Sequence, residues 1–206
     1  MYLHQTKLED YIKYLYDSIN ISNPDELAMD EIAQKLHIEV LHSSFCNKSV
    51  RSNGRVVINL NTKLISPEDQ WETFGHELFH ALKDAGNQIY FPVPLRELRE
   101  NKARNFALHF CIPTFMLDQL HWPESDASPF VAGKFHVNPA FVDQRLEQYR
   151  HRILQNQADE YEAIICEPAP PRYNLSEQSP ETQRIMKQLK TQLTEKGEKF
   201  EIKNLL

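Results

Sequence analysis

Apolar residues recur along the chain with two different periods, and the changes of period divide it into elements. In "LEDYIKYLYDSI", residues 8–19, Leu8, Ile12, Leu15 and Ile19 fall at helical spacing. Asn23-Pro24 interrupts that pattern, and "DELAMDEIAQKLHIEVLHS", residues 25–43, predicts a second helix running into a short apolar strand. The period then shortens to two. In "RSNGRVVINL", Asn53-Gly54 is the favoured two-residue hairpin turn, and Val56, Ile58 and Leu60 line one face of the strand that follows. "SPEDQW" opens the next helix: Ser66 caps it, Pro67 suits the first helical position, and Asp69 completes a Ser-x-x-Asp box. Trp71, Phe74, Leu78 and Leu82 form its apolar stripe and Gly86 a stop, so the helix spans about five turns.

Two prolines, Pro92 and Pro94, end a loop before a helix predicted over residues 95–111. Residues 117–139 read as loop, because Pro123, Pro129, Gly133 and Pro139 fall within them. "PAFVDQRLEQYRHRILQNQADEYEAI" restores a helix. After Cys166 the composition turns proline-rich and polar in "EPAPPRYNLSEQSPE", an extended linker. The remainder predicts one amphipathic helix through Ile185, Leu189 and Leu193. The expected organisation is therefore a main domain over residues 1–166 and an appendage over 167–206, with no internal repeat.

Composition narrows the class. A chain of 206 residues with 41% hydrophobic and 25% charged residues is a soluble globular protein. Its net charge of −6 argues against a nucleic-acid coat, which needs a broad basic surface. No apolar run approaches the roughly 20 residues that cross a bilayer, and "MYLHQTKLEDYIKYLYD" lacks the apolar core of a secretory signal. Cys46, Cys111 and Cys166 are far apart and form no Cys-x-x-Cys pair, which suggests a reducing, cytoplasmic setting.

The chemistry concentrates in "FGHELFHAL", residues 74–82, inside the capped helix. Positions i and i+4 share a helix face, so His76 and His80 present two imidazoles side by side, as two ligands of one metal must be. Glu77 emerges one step round, within reach of a water at the metal and badly placed to be a third ligand. This is the His-Glu-x-x-His arrangement of zinc peptidases, in which the glutamate takes a proton. The bland alternative is a pair of half-buried, hydrogen-bonded histidines. A third ligand is available in "RENKARNFALHF": Glu100 shares a face with Ala103 and Ala107, and small residues there let two helices approach closely. Glu97, one turn earlier, competes for that role, and Glu100 could instead be plain surface in a charged run.

With "RVVINLN", then "HELFH", then "ENKARNFALHFCIP", the chain resembles the ImmA/IrrE family of zinc-dependent metallopeptidases over residues 27–153. Glu100, Ala103, Phe106, Ala107 and Pro113 match that family's second motif. The resemblance implies an α+β, zincin-like fold: a small mixed sheet on the helix carrying His-Glu-x-x-His, with additional helices. It implies one zinc ion per chain held by His76, His80 and Glu100, and Glu77 as general base. It implies site-specific cleavage of a repressor protein in a prophage-like or mobile genetic element. The sequence departs from the pattern at Phe79, where glycine is usual, and at Gly75, where alanine is usual. The bulk of Phe79 is expected to narrow the cleft or repack the sheet.

A second class stays open: a regulatory or DNA-associated protein with a vestigial or structural zinc site. "VAGKFHVNPAFVDQRLEQY" has the outline of a helix-turn-helix, although its basic residues, Lys134, Arg145 and Arg150, are few and acids interleave, which argues against direct nucleic-acid binding. Against a structural zinc, no cysteine lies near the motif and Glu77 would have no purpose there. His121, His136 and Tyr90 could supply an oxyanion-stabilising donor, but a structural or solvated role fits each of them better and none is assigned.

Overall fold

The computed structural model describes residues 5–52, 54–64, 66–83, 91–121, 123, 126–165 and 179–195. Compactness divides the chain into residues 1–156 and residues 157–206. The boundary expected from composition, at residues 166 and 167, lies outside the described residues, as do Gly86 and Tyr90.

The first unit begins with α1 (Lys7–Ser18), held by a reciprocal capping box between Thr6 and Glu9. A 3-10 turn (Pro24–Glu26) and a short α2 (Met29–Lys35) follow. The single helix expected from residue 25 is thus corrected to two pieces: Leu27 and Ala28 are not helical, and His37 ends α2 in the left-handed region at φ 57°. The chain then enters β1 (Ile38–Ser43), β2 (Lys48–Ser52) and β3 (Arg55–Asn61). Their order is β1-β3-β2: β2 and β3 form the expected antiparallel hairpin, with Gly54 at φ 78°, and β1 lies parallel to β3. Ile58 and Leu60 on the central strand are fully buried, and Val56 is half-buried on the same face.

The sheet packs on α3 (Pro67–Lys83), which contacts β2 and β3 on one side and α4 (Val93–Cys111) on the other. Ser66 Oγ accepts from the Asp69 N–H at 3.0 Å, capping α3 as its sequence predicts. Trp71, Phe74 and Leu78 are buried and Leu82 is half-buried. Helix α4 starts slightly before residue 95, because Pro94 fits a first turn whose N–H groups have no intrahelical acceptor. Between α3 and α4 the rings of Trp71, Phe74, Phe110, Phe106 and Phe79 follow one another at centroid separations of 5.3–6.3 Å. Phe79 packs on Phe106 and against the His80 ring at 5.7 Å, so its bulk is taken up between the two helices.

After α5 (Thr114–Leu117), the stretch expected to be loop contains α6 (Ala127–Phe135). The correction has a local cause. Pro129 falls in the first turn of α6, where no hydrogen bond is lost, and Gly133 is tolerated on an exposed face. A left-handed His136 closes α6, and α7 (Pro139–Ile165) follows. In the second unit, α8 (Pro180–Glu195) is capped by Ser179, and Ile185 and Leu189 are exposed.

Candidate metal centre and adjoining cleft

The two histidines of α3 and one carboxylate of α4 converge. His76 Nε2 lies 3.1 Å from Glu100 Oε2 and 3.3 Å from His80 Nε2, and His80 Nε2 lies 3.5 Å from Glu100 Oε1. Among the described residues this is the group of His, Cys, Asp and Glu side chains able to hold a metal ion. Glu97 is exposed and outside it. The separations suit a small cation: four donors at about 2.1 Å from a zinc ion stand about 3.4 Å apart. Two imidazole nitrogens and one carboxylate also form the nitrogen and oxygen donor set that leaves such an ion an open position. Burial, and then the neighbouring His80, lower the pKa of His76 while Glu100 opposes them, and the net shift favours the neutral ring, which has a lone pair to give.

Close approach of the two helices makes this convergence possible. Ala103 and Ala107 are buried against α3. Gly75 completes the fit, since a Cβ there would stand 2.9 Å from Cys111 Sγ and 3.3 Å from the Phe110 ring. The glycine that weakens helix propensity is therefore required by packing.

Glu77 is buried and faces the sheet side. Burial raises its pKa, opposed by His80 and by a hydrogen bond that the Ser49 N–H of β2 donates to it. A cleft of about 390 Å³ opens beside His76 and Glu77. Its walls include Ala107, Leu108 and Phe141, and its polar lining includes Asn47, Glu72, Arg104 and Gln144. Sequence reasoning missed these four polar residues. Arg104 and Glu72 were the findable ones, each one helical turn from a ligand on the ligand's own helix. His121 and His136 are exposed and do not line the cleft.

The basic residues of the helix-turn-helix outline are largely committed elsewhere. Arg145 is 1% exposed; it donates to Ile112 O at 3.2 Å and to Thr114 Oγ1 at 2.7 Å. Lys134 pairs with Asp25 at 3.5 Å.

These observations define a mixed α+β protein whose two central helices bring a two-histidine, one-glutamate group to the edge of a cleft. The chain belongs to the family Peptidase M78, described as the IrrE N-terminal-like domain, whose model matches residues 33–147. The resemblance read from the motifs is borne out. The chain is similar to the phage-like element PBSX protein XkdA of Bacillus subtilis (strain 168), with 42% identity over 147 residues covering 70% of this chain and 74% of that protein. It is also similar to the uncharacterized protein YqaB of the same organism, with 31% identity over 151 residues, 72% of this chain and 87% of that one. Among the described residues no helix is long and apolar enough to cross a membrane.

Proposed function

We propose that the chain is a zinc-dependent endopeptidase with a zincin-like fold, acting in the cytoplasm on a repressor protein of a prophage-like or mobile genetic element. The observation that carries this reading is the approach of His76, His80 and Glu100 ligand atoms to within 4.8 Å of one another, next to a buried Glu77 and an open cleft. The peptidase family supports the reaction class, and the name of the relative XkdA supports the genetic setting.

His76, His80 and Glu100 would hold the zinc, which when bound supplies Lewis acidity toward a water and the scissile carbonyl. Glu77 takes a proton from the attacking water and returns it to the leaving amine. Its raised pKa favours that role, because a carboxylate in a dry site is a stronger base than one in solvent. The Ser49 N–H keeps the carboxylate aimed. Phe141, Leu108 and Ala107 give the cleft a wall that excludes water beside the bond to be cut. The burial of Arg145 counts against the DNA-associated reading, which needs that residue at the surface.

The test is co-expression with the repressor of the same genetic neighbourhood, followed by mapping of its fragments. Glu77→Gln keeps size and hydrogen bonding and cannot accept the proton. It should retain zinc and fold while cutting at least about a hundredfold more slowly. A near wild-type rate in that variant removes Glu77 as the base. A wild type that binds the repressor without cutting it returns the site to a vestigial role.

A further inference from the structure

Glu72 stands on α3 one turn before His76 and lines the same cleft. Its position is set from outside its own helix. Oε1 accepts from the Asn138 N–H at 2.7 Å and from Asn138 Nδ2 at 3.1 Å, at the start of α7. Both bonds go to one oxygen, and among the described residues no basic side chain forms an ion pair with this half-buried carboxylate. Buried Glu9, by contrast, pairs with Arg145 and Arg152. Burial raises the pKa of Glu72, the two bonds from Asn138 oppose the rise, and the neighbouring charges of Asp69 and Glu68 add to it. A carboxylate held in place, half out of water and without a counter-charge calls for a cation from outside.

The rest of the cleft narrows the cation's class. Ala107, Leu108 and Phe141 offer an apolar wall to a long aliphatic stem, and Gln144 offers an amide oxygen, whereas Asn47 Oδ1 already accepts from the Asn61 N–H at 2.7 Å. Arg104 also lines the cleft, but it is exposed, donates to Asn101 Oδ1 at 3.1 Å and exerts its charge on His76. The charge of Arg104 thus acts toward His76, and Glu72 is left as a carboxylate of the cleft without an ion-pair partner among the described residues.

We propose that Glu72 is a specificity-determining residue, and that the cleft accepts a lysine or arginine side chain of a protein substrate next to the bond that is cut. The stem lies along Phe141 and Leu108, and the ammonium or guanidinium meets the free Oε2 of Glu72. This rests on the peptidase reading above, and the experiment separates the two.

The full chain carrying Glu77→Gln and loaded with zinc is titrated with capped alanine-glycine peptides that hold a single Lys, Arg, norleucine or Glu, with fluorescence polarisation as readout. The Lys and Arg peptides should bind about tenfold more tightly than the norleucine peptide, the least that a charge-assisted hydrogen bond contributes. Adding Glu72→Gln should abolish that advantage and leave the norleucine peptide unchanged, while Glu72→Asp retains part of it. Equal binding of Lys and norleucine overturns the proposal, as does a preference for Glu, which would make Arg104 the selector. A Lys advantage that survives Glu72→Gln overturns it too. Wild-type protein is then incubated with a tryptic-free peptide mixture made from denatured proteins, and the new termini are sequenced. Cuts beside Lys or Arg support the subsite. Cuts with no basic neighbour overturn it and keep the peptidase. Lys-selective binding without any cut of this mixture supports the cation site, and the repressor-cleavage experiment above then decides the peptidase.

Discussion

Helix α4 takes part in two polar clusters, and they are built on opposite plans. Near its start, Glu100 meets His76 and His80: one negative charge and two lone-pair donors, with Glu100 side chain 40% exposed. Near its end, His109 approaches a closed cluster. There Glu9 Oε1 accepts from Thr114 Oγ1 at 2.6 Å and lies 3.9 Å from Arg145, while Arg152 binds its other oxygen. His109 Nε2 lies 4.0 Å from Glu9, and its Nδ1–H donates to Asn105 O at 2.9 Å. The second cluster carries its own cations and is buried, so it needs nothing more. Among the described residues no Lys or Arg forms an ion pair with Glu100 of the first, and that difference distinguishes a place for a ligand from a fastening between helices.

Metal dependence is the sharpest way to break the comparison. His80→Ala should lose zinc and activity together, and Glu100→Ala should do the same while Glu97→Ala leaves the metal content unchanged. Metal analysis of the purified variants decides, and zinc lost only from the Glu97 variant would reassign the third ligand. Zinc at a thousand times its dissociation constant should add about 4 kcal/mol to the stability of the wild type. It should add none to the His80 variant in thermal melts.

The buried cluster should respond in the opposite sense. Glu9→Gln leaves Arg145 buried without its carboxylate and should cost about 3–5 kcal/mol in chemical denaturation. Zinc affinity of the folded fraction should stay as it was. A shifted affinity would show that the two clusters are coupled through α4.

Acid separates them further. Burial, then the charge of Arg145, hold His109 down at about 4, whereas an unfolded histidine titrates near 6.5. The folded state therefore binds fewer protons, and stability present above about pH 6.5 is lost as the pH falls toward 4. Burial alone would raise the Glu9 carboxyl, but hydrogen bonds from Arg152, Thr114 and Thr6 outweigh it and hold it at about 2. Its contribution is present above about 4.5 and is lost between 4.5 and 2. His109→Gln should therefore remove about 2 kcal/mol of the loss between pH 6.5 and 5 and leave the steeper loss below it. Melting temperatures across that range give the answer.

Gly75→Ala is the smallest perturbation. The gain in helix propensity of up to about 1 kcal/mol opposes the cost of parting α3 from α4, of about 1–3 kcal/mol. A net loss near 1 kcal/mol is expected. Cys111→Ala in the same chain should restore it, since Cys111 Sγ is the nearest atom to the added methyl.

What the sequence disclosed was local. The capped start of α3, the Asn53-Gly54 hairpin and the spacing of His76, His80 and Glu100 are short-range patterns, each written in a few consecutive turns of chain. The signals that hide α6 are local too, because Pro129 and Gly133 are helix breakers by type but not at the positions they occupy in this helix. The contacts that close the molecule were not legible: Glu9 meets Arg152 from the other end of the unit, and Asn138 reaches back to Asp69 and Glu72. Neither pair leaves any periodicity to detect. The parallel pairing of β1 with β3 belongs with them, since nothing in either strand names its partner.

The bond from β2 to Glu77 has a consequence for how this protein can drift. Its donor is the Ser49 main chain, so nineteen of the twenty amino acids would supply it equally, and only proline lacks the N–H. Position 49 can change its letter over generations without touching the aim of the glutamate. An inventory of letters would pass over it as neutral. Because β2 is an edge strand, proline is the one replacement that can delete this donor while leaving the sheet paired. The position is silent to every exchange except the one that removes a hydrogen from the backbone.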